Sequence, residues 1–245
     1  MKKSMQPRSH PNLLKGSINQ NIIRMSLPMM VAMLFQTGFS VIDMIFVGMV
    51  GPEALAAVSI VFPVMFFFIS FIMGIGTGLS SFVARTFGAG EFEKAGRIAA
   101  NGLVFGIVLS LLLMVFGIVF ARPLFVLLGA GPEILPPVLE YCQIIFIGFI
   151  FIFFGAFGNS IIRGSGDART PMKFLLIQTL VNLVLDPLFI FGLGPVPAMG
   201  VWGAGLAMVL SRVVMVVLVM RHFLSGKAMV VPDFNHFRFI PALIK

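Results

Sequence analysis

Long runs of apolar residues recur along this chain and predict its main structural elements. A helix needs about 20 predominantly apolar residues to cross the hydrocarbon core of a bilayer. Six runs reach that length, and short stretches rich in glycine and proline separate them. We expect transmembrane helices at residues 25–48, 57–83, 98–120, 138–162, 171–193 and 201–220. The pattern therefore predicts an all-α integral membrane protein that is built as a bundle of six transmembrane helices.

The composition supports a membrane protein and excludes other classes. Hydrophobic residues make up 59% of the 245 positions and charged residues only 11%, whereas about a quarter of the residues in a soluble domain are charged. A net charge of +8 would suggest nucleic acid as the partner of a soluble protein. Here the basic residues flank apolar runs, so we expect the lipid bilayer and no nucleic acid. The single cysteine, Cys142, excludes an intrachain disulfide.

The distribution of basic residues predicts the orientation of the six helices. With Arg212 counted among the residues in or after the last span, 16 of the 17 Lys and Arg lie on one side, and only Arg122 lies on the other. Positive residues favour the cytoplasm, so we expect a multi-pass protein of the cell membrane with both termini inside. The chain then divides into a cytoplasmic N-terminal segment at 1–24, a six-helix lobe at 25–222 and a cytoplasmic segment at 223–245.

Two acidic residues lie deep inside predicted spans, where an ionisable side chain is a functional candidate by default. Asp43 in the first span and Asp186 in the fifth both lie roughly 10–12 Å inside the outer boundary. We find no Lys or Arg at their depth. Two close carboxylates resist double ionisation and can hold or release a proton, so we expect a shared proton or cation site. The alternative is that each aspartate is structural and is bound to a hydroxyl or an amide.

Polar residues accompany each aspartate on its own helix. Gln36, Ser40 and Asp43 are spaced four and three apart, and Asn182 lies four residues before Asp186. Residues at these spacings share one face of a helix. We therefore expect two polar faces that line one cavity.

Three further features of the spans have weaker interpretations. Pro28 removes a backbone hydrogen bond early in the first span and predicts a hinge. Asn159 forms either a hydrogen bond between helices or a contact deep in the cavity. Gly74, Gly76 and Gly78 lie inside an apolar helix without the Lys-Ser/Thr of a phosphate loop, so we expect them to allow close helix packing.

Three stretches of the sequence resemble the multidrug and toxic compound extrusion (MATE) family of transporters. Residues 36–43 and the outer loop at 51–59 resemble the family's first span, with its aspartate, and its Leu-Ala-Ala-Val-Ser run. Residues 159–172, Asn-Ser-Ile-Ile-Arg-Gly-Ser-Gly-Asp-Ala-Arg-Thr-Pro-Met, resemble the family's most recognisable connection. Residues 182–192 contain its Asn-x-x-x-Asp-Pro element. The matches follow the family's order and extend over most of the chain.

The resemblance implies one lobe of a twelve-helix, two-lobe secondary transporter. Such proteins export cationic or amphipathic small molecules, and the inward flow of protons or sodium ions drives that export without a resident cofactor. The segment at 223–245 would then be a cytoplasmic linker toward a second six-helix lobe that this chain lacks.

The resemblance also implies which residues form the site. The cavity residues that match the family are Gln36, Asp43, Asn159, Asn182 and Asp186, and the shared helix face adds Ser40. Coupling to a proton would involve Asp43, Asn182 and Asp186, and the same three residues form a candidate Na⁺ site. Many members carry a threonine in the outer part of the sixth span. Met208 takes its place here, which argues against a sodium site completed by a hydroxyl.

Three alternatives stay open. A flippase of lipid-linked precursors from a related fold would handle anionic substrates and would need basic residues at cavity depth, where we find none. A membrane-embedded enzyme would need a catalytic set, and no His/Cys metal spacing and no Ser/His/Asp grouping is present at one depth, so we expect no enzyme. The third alternative is a half-protein that does not transport alone and assembles with itself or with a separate lobe.

Overall fold

The structure is a computed structural model that describes residues 17–192 and 196–234. Most of the predicted N-terminal segment at 1–24 therefore lies outside the described residues, as do the last residues of the segment at 223–245. The division of the chain at these boundaries stays a prediction.

The described residues form six helices, which correspond one to one with the six predicted spans. They are α1 (Ile18–Val50), α2 (Pro52–Gly88), α3 (Phe92–Leu127), α4 (Leu135–Gly164), α5 (Arg169–Ile190) and α6 (Gly200–Leu224). All six are long and apolar enough to cross a membrane. The predicted all-α, six-helix transmembrane fold is confirmed.

Most helices extend beyond the apolar runs that predicted them. α2 has 37 residues and α3 has 36, which corresponds to about 55 Å at 1.5 Å per residue, whereas the hydrocarbon core is about 30 Å thick. The helices are therefore longer than the hydrocarbon core is thick. Hydropathy identifies only the apolar part of each helix, so the predicted runs were shorter. α5 is the exception, because it ends at Ile190, and Gly192 follows with a φ of +70° that favours glycine.

α4 lies at the centre of the bundle and packs against α2, α3 and α6. Buried phenylalanines recur every three or four residues along it: Phe146, Phe149, Phe153 and Phe157. On its α6 side, a Cβ atom built on Gly148 would lie 2.5 Å from Val209 Cγ2, and one on Gly158 would lie 2.4 Å from Val219 Cγ1. Small residues allow membrane helices to approach closely, so these glycines hold α6 against α4.

The Gly-Ile-Gly-Thr-Gly stretch of α2 confirms the packing interpretation at only one of its three glycines. A Cβ atom on Gly76 would lie 2.8 Å from Ser160 Oγ of α4. Among the described residues, Gly74 and Gly78 have no atom within 4 Å of a built Cβ, so the described part of the lobe offers them no close neighbour. The reason is geometric, because residues two apart on a helix do not face the same neighbour.

α1 lies at the edge of the lobe and packs mainly on α5. Much of its apolar surface is exposed, with Leu34 at 72%, and in a membrane such a face meets lipid or another protein. Pro28 lies ten residues inside α1, and the helix runs continuously through it. Because proline has no N–H, the helix lacks one backbone hydrogen bond at this turn. The hinge role of Pro28 stays a prediction.

The chain folds back on the lobe after α6. Ala228 and Val230 are buried, and Asp233 donates its backbone N–H to the carbonyl oxygen of Gly96 at 3.1 Å. Gly96 leaves room for this contact, because a Cβ there would lie 2.9 Å from the carbonyl oxygen of Val231. The first part of the predicted linker is therefore docked on the start of α3.

Candidate functional site

A cavity of about 90 Å³ lies between α1, α5 and α6. Its walls are polar for a membrane bundle, with two carboxyl groups, three amides, two hydroxyls and one guanidinium. The lining residues are Gln36, Phe39, Ser40, Asp43, Gln178, Thr179, Asn182, Leu183, Asp186, Met208 and Arg212. Pockets for drug-sized compounds have volumes of about 300–1,000 Å³, so this cavity holds an ion, a few waters or one group of a larger compound.

The α5 wall presents polar side chains at every turn. Gln178, Asn182 and Asp186 are spaced four apart and share one face of the helix. Asn182 Nδ2 donates to Asp186 Oδ1 at 2.8 Å, and Asp186 is only 2% exposed. A buried carboxyl group is tolerated where hydrogen bonds replace its lost hydration. The amide of Asn182 supplies one such bond.

The α1 wall brings the second carboxyl group to the first. Gln36, Ser40 and Asp43 all line the cavity, and Ser40 Oγ donates to the backbone carbonyl of Gln36 at 3.0 Å. The side chains of Asp43 and Asp186 are within hydrogen-bonding reach of each other. A hydrogen bond between two carboxyl groups requires a proton on one of them. The arrangement can therefore hold a proton between two helices.

The α6 wall contains an arginine at the middle of the membrane, which corrects the sequence-based interpretation. Arg212 is the central residue of α6, about 18 Å from either end. It lines the cavity, and its Nη1 donates to Gln178 Oε1 at 3.1 Å. The expectation that no basic residue lies at cavity depth was wrong. An arginine at the centre of a helix does not indicate which side is cytoplasmic. Without Arg212, the predicted orientation rests on 15 of the 17 basic residues.

Asn159 is not among the residues that line this cavity. Its Nδ2 donates to Met215 Sδ of α6 at 3.2 Å, while its Oδ1 is buried without a partner. Of the two interpretations of Asn159, the structure places it in a contact between helices. Pro28 also lies away from the cavity lining.

Some of the lining residues that were not predicted carry a readable signal in the sequence. The lining residues outside the predicted cavity set are Phe39, Gln178, Thr179, Leu183, Met208 and Arg212. Gln178 continues the four-residue spacing of Asn182 and Asp186, and Thr179 lies beside it. Arg212 interrupts an otherwise apolar span, which is the same signal that identified the two aspartates. Leu183 has no such signal, because most residues of a membrane helix are apolar and its residue type does not distinguish it from them.

The oxygen atoms of the cavity only partly suit a sodium ion. Asp43 and Asp186 offer carboxylate oxygens, but Asn182 directs its amide nitrogen at Asp186, and Met208 supplies no hydroxyl. Among the described residues, no group of three or more His, Cys, Asp or Glu could hold a metal ion.

Comparison with known proteins gives consistent matches. The family model MatE matches residues 28–188. A FAD transporter of Shewanella oneidensis is 35% identical over 202 residues, which are 82% of this chain and 45% of that protein. The probable multidrug resistance protein YoeA of Bacillus subtilis is 29% identical over 228 residues, which are 93% of this chain and 49% of that protein.

Solved structures extend the match to the whole described fold. A MOP superfamily transporter from Pyrococcus furiosus, for which a binding pocket of reverse polarity suggests a different function, superposes with a TM-score of 0.90 at 33% identity. The match covers 98% of this chain and 52% of that one. The chain thus spans about half the length of the curated relatives and solved structures that it matches.

Proposed function

This chain belongs to the MATE family, whose members are transporters and not enzymes, and we propose that it forms the amino-terminal lobe of a secondary active exporter. The exported compounds are cationic or amphipathic, and they leave in exchange for H⁺ or Na⁺. The observation that carries the proposal is the meeting of Asp43 and Asp186 in a polar cavity between α1 and α5. The gradient of the proton or cation that exchanges at this pair supplies the energy for export.

The chemistry of the pair accounts for ion binding. With both carboxyl groups ionised, two negative charges lie close together in a site of low dielectric, and a proton or Na⁺ between them relieves their repulsion. Asn182 holds Asp186 in place through the 2.8 Å bond from its amide nitrogen. Of the two ions, the proton is better supported, because Asn182 directs an N–H and not an oxygen at the carboxyl group, and Met208 replaces a hydroxyl.

Coupling requires that the ion and the substrate favour different states of the protein. α1 carries Asp43, packs mainly on α5, and contains Pro28 toward its cytoplasmic half. Binding of an ion draws α1 and α5 together through the carboxyl pair, and a hinge at Pro28 lets α1 move as the pair forms. Alternating access then needs an opposing wall, which a second six-helix lobe supplies as the partner of this one.

The proposed orientation places both termini in the cytoplasm and the acidic pair in the outer half of the lobe. The support is the 15 basic residues on one side against Arg122 on the other. In this orientation protons from outside reach the pair first, and the cytoplasmic half of the cavity faces the compounds to be exported.

Neutral replacement of the carboxyl pair tests the function. Asp43→Asn and Asp186→Asn are made in a transporter that joins this lobe to a second six-helix lobe and is reconstituted in vesicles with a pH or sodium gradient. Each variant keeps the shape and a hydrogen-bonding oxygen of aspartate but cannot exchange a proton. We expect gradient-driven export of a fluorescent compound to fall to background in both variants.

The control is Glu53→Gln, an exposed acid in the first turn of α2 that lies outside the cavity lining. It should transport normally. Omitting sodium at fixed pH assigns the ion, since a proton-coupled exporter keeps its rate. Normal transport by both aspartate variants would show that the pair is structural and would end the proposal.

The flippase alternative gains one observation from the structure. Arg212 supplies the basic residue at cavity depth whose absence argued against anionic substrates. The family match favours the exporter.

A further inference from the structure

Arg212 has no role in ion binding at the carboxyl pair, although it lines the same cavity. It extends from α6 toward Gln178, which lies eight residues before Asp186 on α5. Eight residues of helix correspond to about 12 Å. The cavity therefore has two oppositely charged ends, with acids toward the outer side and a guanidinium toward the cytoplasmic side.

The guanidinium is incompletely satisfied. An arginine stays protonated in proteins and offers five N–H donors. Within the described part of the chain, its Nη1 donates to Gln178 and its Nε is buried without a partner. The ion pairs among the described residues are Lys94–Glu91 and Arg97–Glu93, both at the start of α3, so no carboxylate pairs with Arg212.

A fixed, unpaired cation at the middle of a membrane calls for an anion in the working protein. Asp186 does not fill this role, since it is hydrogen-bonded to Asn182 and lies two helical turns away along α5. The cavity volume of about 90 Å³ suits a single carboxylate or phosphate group. A guanidinium recognises such groups well, because its parallel N–H donors match two oxygens of the anion.

We infer that Arg212 and Gln178 form an anion subsite that receives an oxyanion group of the exported compound. The compound is then amphoteric, with its anionic group at Arg212 and its cationic group toward Asp43 and Asp186. Along α5, Asp186 lies about 12 Å from Gln178. Such a compound adds no net charge to a cavity of low dielectric, whereas a simple cation meets repulsion from Arg212. The identification of this group as part of a substrate rests on the proposed export function.

The test measures equilibrium binding and needs no transport. The sample is the purified chain in nanodiscs of zwitterionic lipid. It is titrated with a xanthene dye that bears a free carboxylate and, in a separate experiment, with the methyl ester of the same dye. Binding is followed by fluorescence anisotropy. We expect the native chain to bind the carboxylate dye more tightly than the ester. Arg212→Gln should weaken binding of the carboxylate dye by about 10- to 100-fold, as expected for a lost charge-assisted hydrogen bond, and leave the ester unchanged or tighter.

Two further variants sharpen the result. Arg212→Lys keeps the charge but loses the fork of donors, so it should recover only part of the affinity. Arg163→Gln is the matched control, because Arg163 is a half-buried arginine that donates to Ser160 Oγ at 3.0 Å and does not line the cavity. It should bind both dyes as the native chain does, and ester binding reports that each variant is folded.

Three outcomes would overturn the inference. One is a native chain that does not prefer the carboxylate dye, including one that binds neither dye. Another is that Arg212→Gln weakens the binding of both dyes equally, which would make Arg212 a structural counter-charge of the acids. The third is displacement of the dye by added phosphatidylglycerol only when Arg212 is present, which would assign the subsite to a lipid headgroup. Failure of ion-driven transport leaves these binding results intact, so the two proposals fail separately.

Discussion

The contact between α4 and α6 yields a prediction that can be worked from atomic distances. In Gly158→Ala, the added Cβ would lie 2.4 Å from Val219 Cγ1, whereas carbon atoms prefer about 3.5–4.0 Å. The overlap is with this one methyl group, since Val219 Cβ and Cγ2 lie at 3.5 Å. Val219 is fully buried, and valine in a helix strongly prefers one χ1 rotamer, so rotating the side chain away carries its own cost. Overpacking of this kind typically costs about 1–3 kcal/mol.

The matching deletion on α6 should relieve the overlap. Val219→Ala removes the two methyl groups that meet the new Cβ, and alone it leaves a small void that destabilises the lobe by about 1–2 kcal/mol. The double variant Gly158→Ala, Val219→Ala should therefore lose less stability than the two single variants lose in sum. We expect a favourable coupling energy of about 1 kcal/mol or more.

Thermal unfolding in detergent, followed by the loss of the monodisperse peak in size-exclusion chromatography, measures this cycle. Gly74→Ala serves as the control, because a Cβ there meets no atom within 4 Å, and alanine is favoured over glycine in a helix by about 1 kcal/mol. It should be neutral or slightly stabilising. A Gly158→Ala variant as stable as the native chain, or a double variant whose losses simply add, would refute the packing argument.

Two further predictions concern orientation and completeness. In a Cys142→Ala background, cysteines at the exposed positions Glu53 and Glu133 should react with an impermeant thiol reagent outside intact cells. Cysteines at Glu93 and Arg169 should not react. Labelling of the second pair without permeabilisation would reverse the orientation. The 245-residue chain reconstituted alone should show no gradient-driven export of a fluorescent compound, because one lobe lacks the opposing wall; robust transport by a monomer would contradict this.

The six spans and the two polar helix faces followed from sequence because each depends on a short-range rule. Length and hydropathy identify a membrane span, and the spacing of Gln36, Ser40 and Asp43 identifies a helix face. Neither rule needs knowledge of a distant neighbour. The depth of Asp43 and Asp186 could be matched for the same reason, since rise per residue converts position into height.

Arg212 shows where this reasoning failed. Counting basic residues for orientation assigned it to the cytoplasmic side, although it is the central residue of α6. The depth argument that selected Asp43 and Asp186 would have selected Arg212 had it been applied to cations as well. The choice between the two interpretations of Asn159 could not be made from sequence, because only the packing of α4 against α6 determines that its amide meets Met215.

The docked segment after α6 determines which part of the lobe residue 233 lies against. Because Asp233 is fixed to Gly96, the polypeptide leaves the lobe beside the connection between α2 and α3, and not at the end of α6. The residues from 225 to 233 would otherwise add about 30 Å of extended reach, and their docking removes that slack. An element joined after residue 233 would therefore start from this anchor and not from the end of α6.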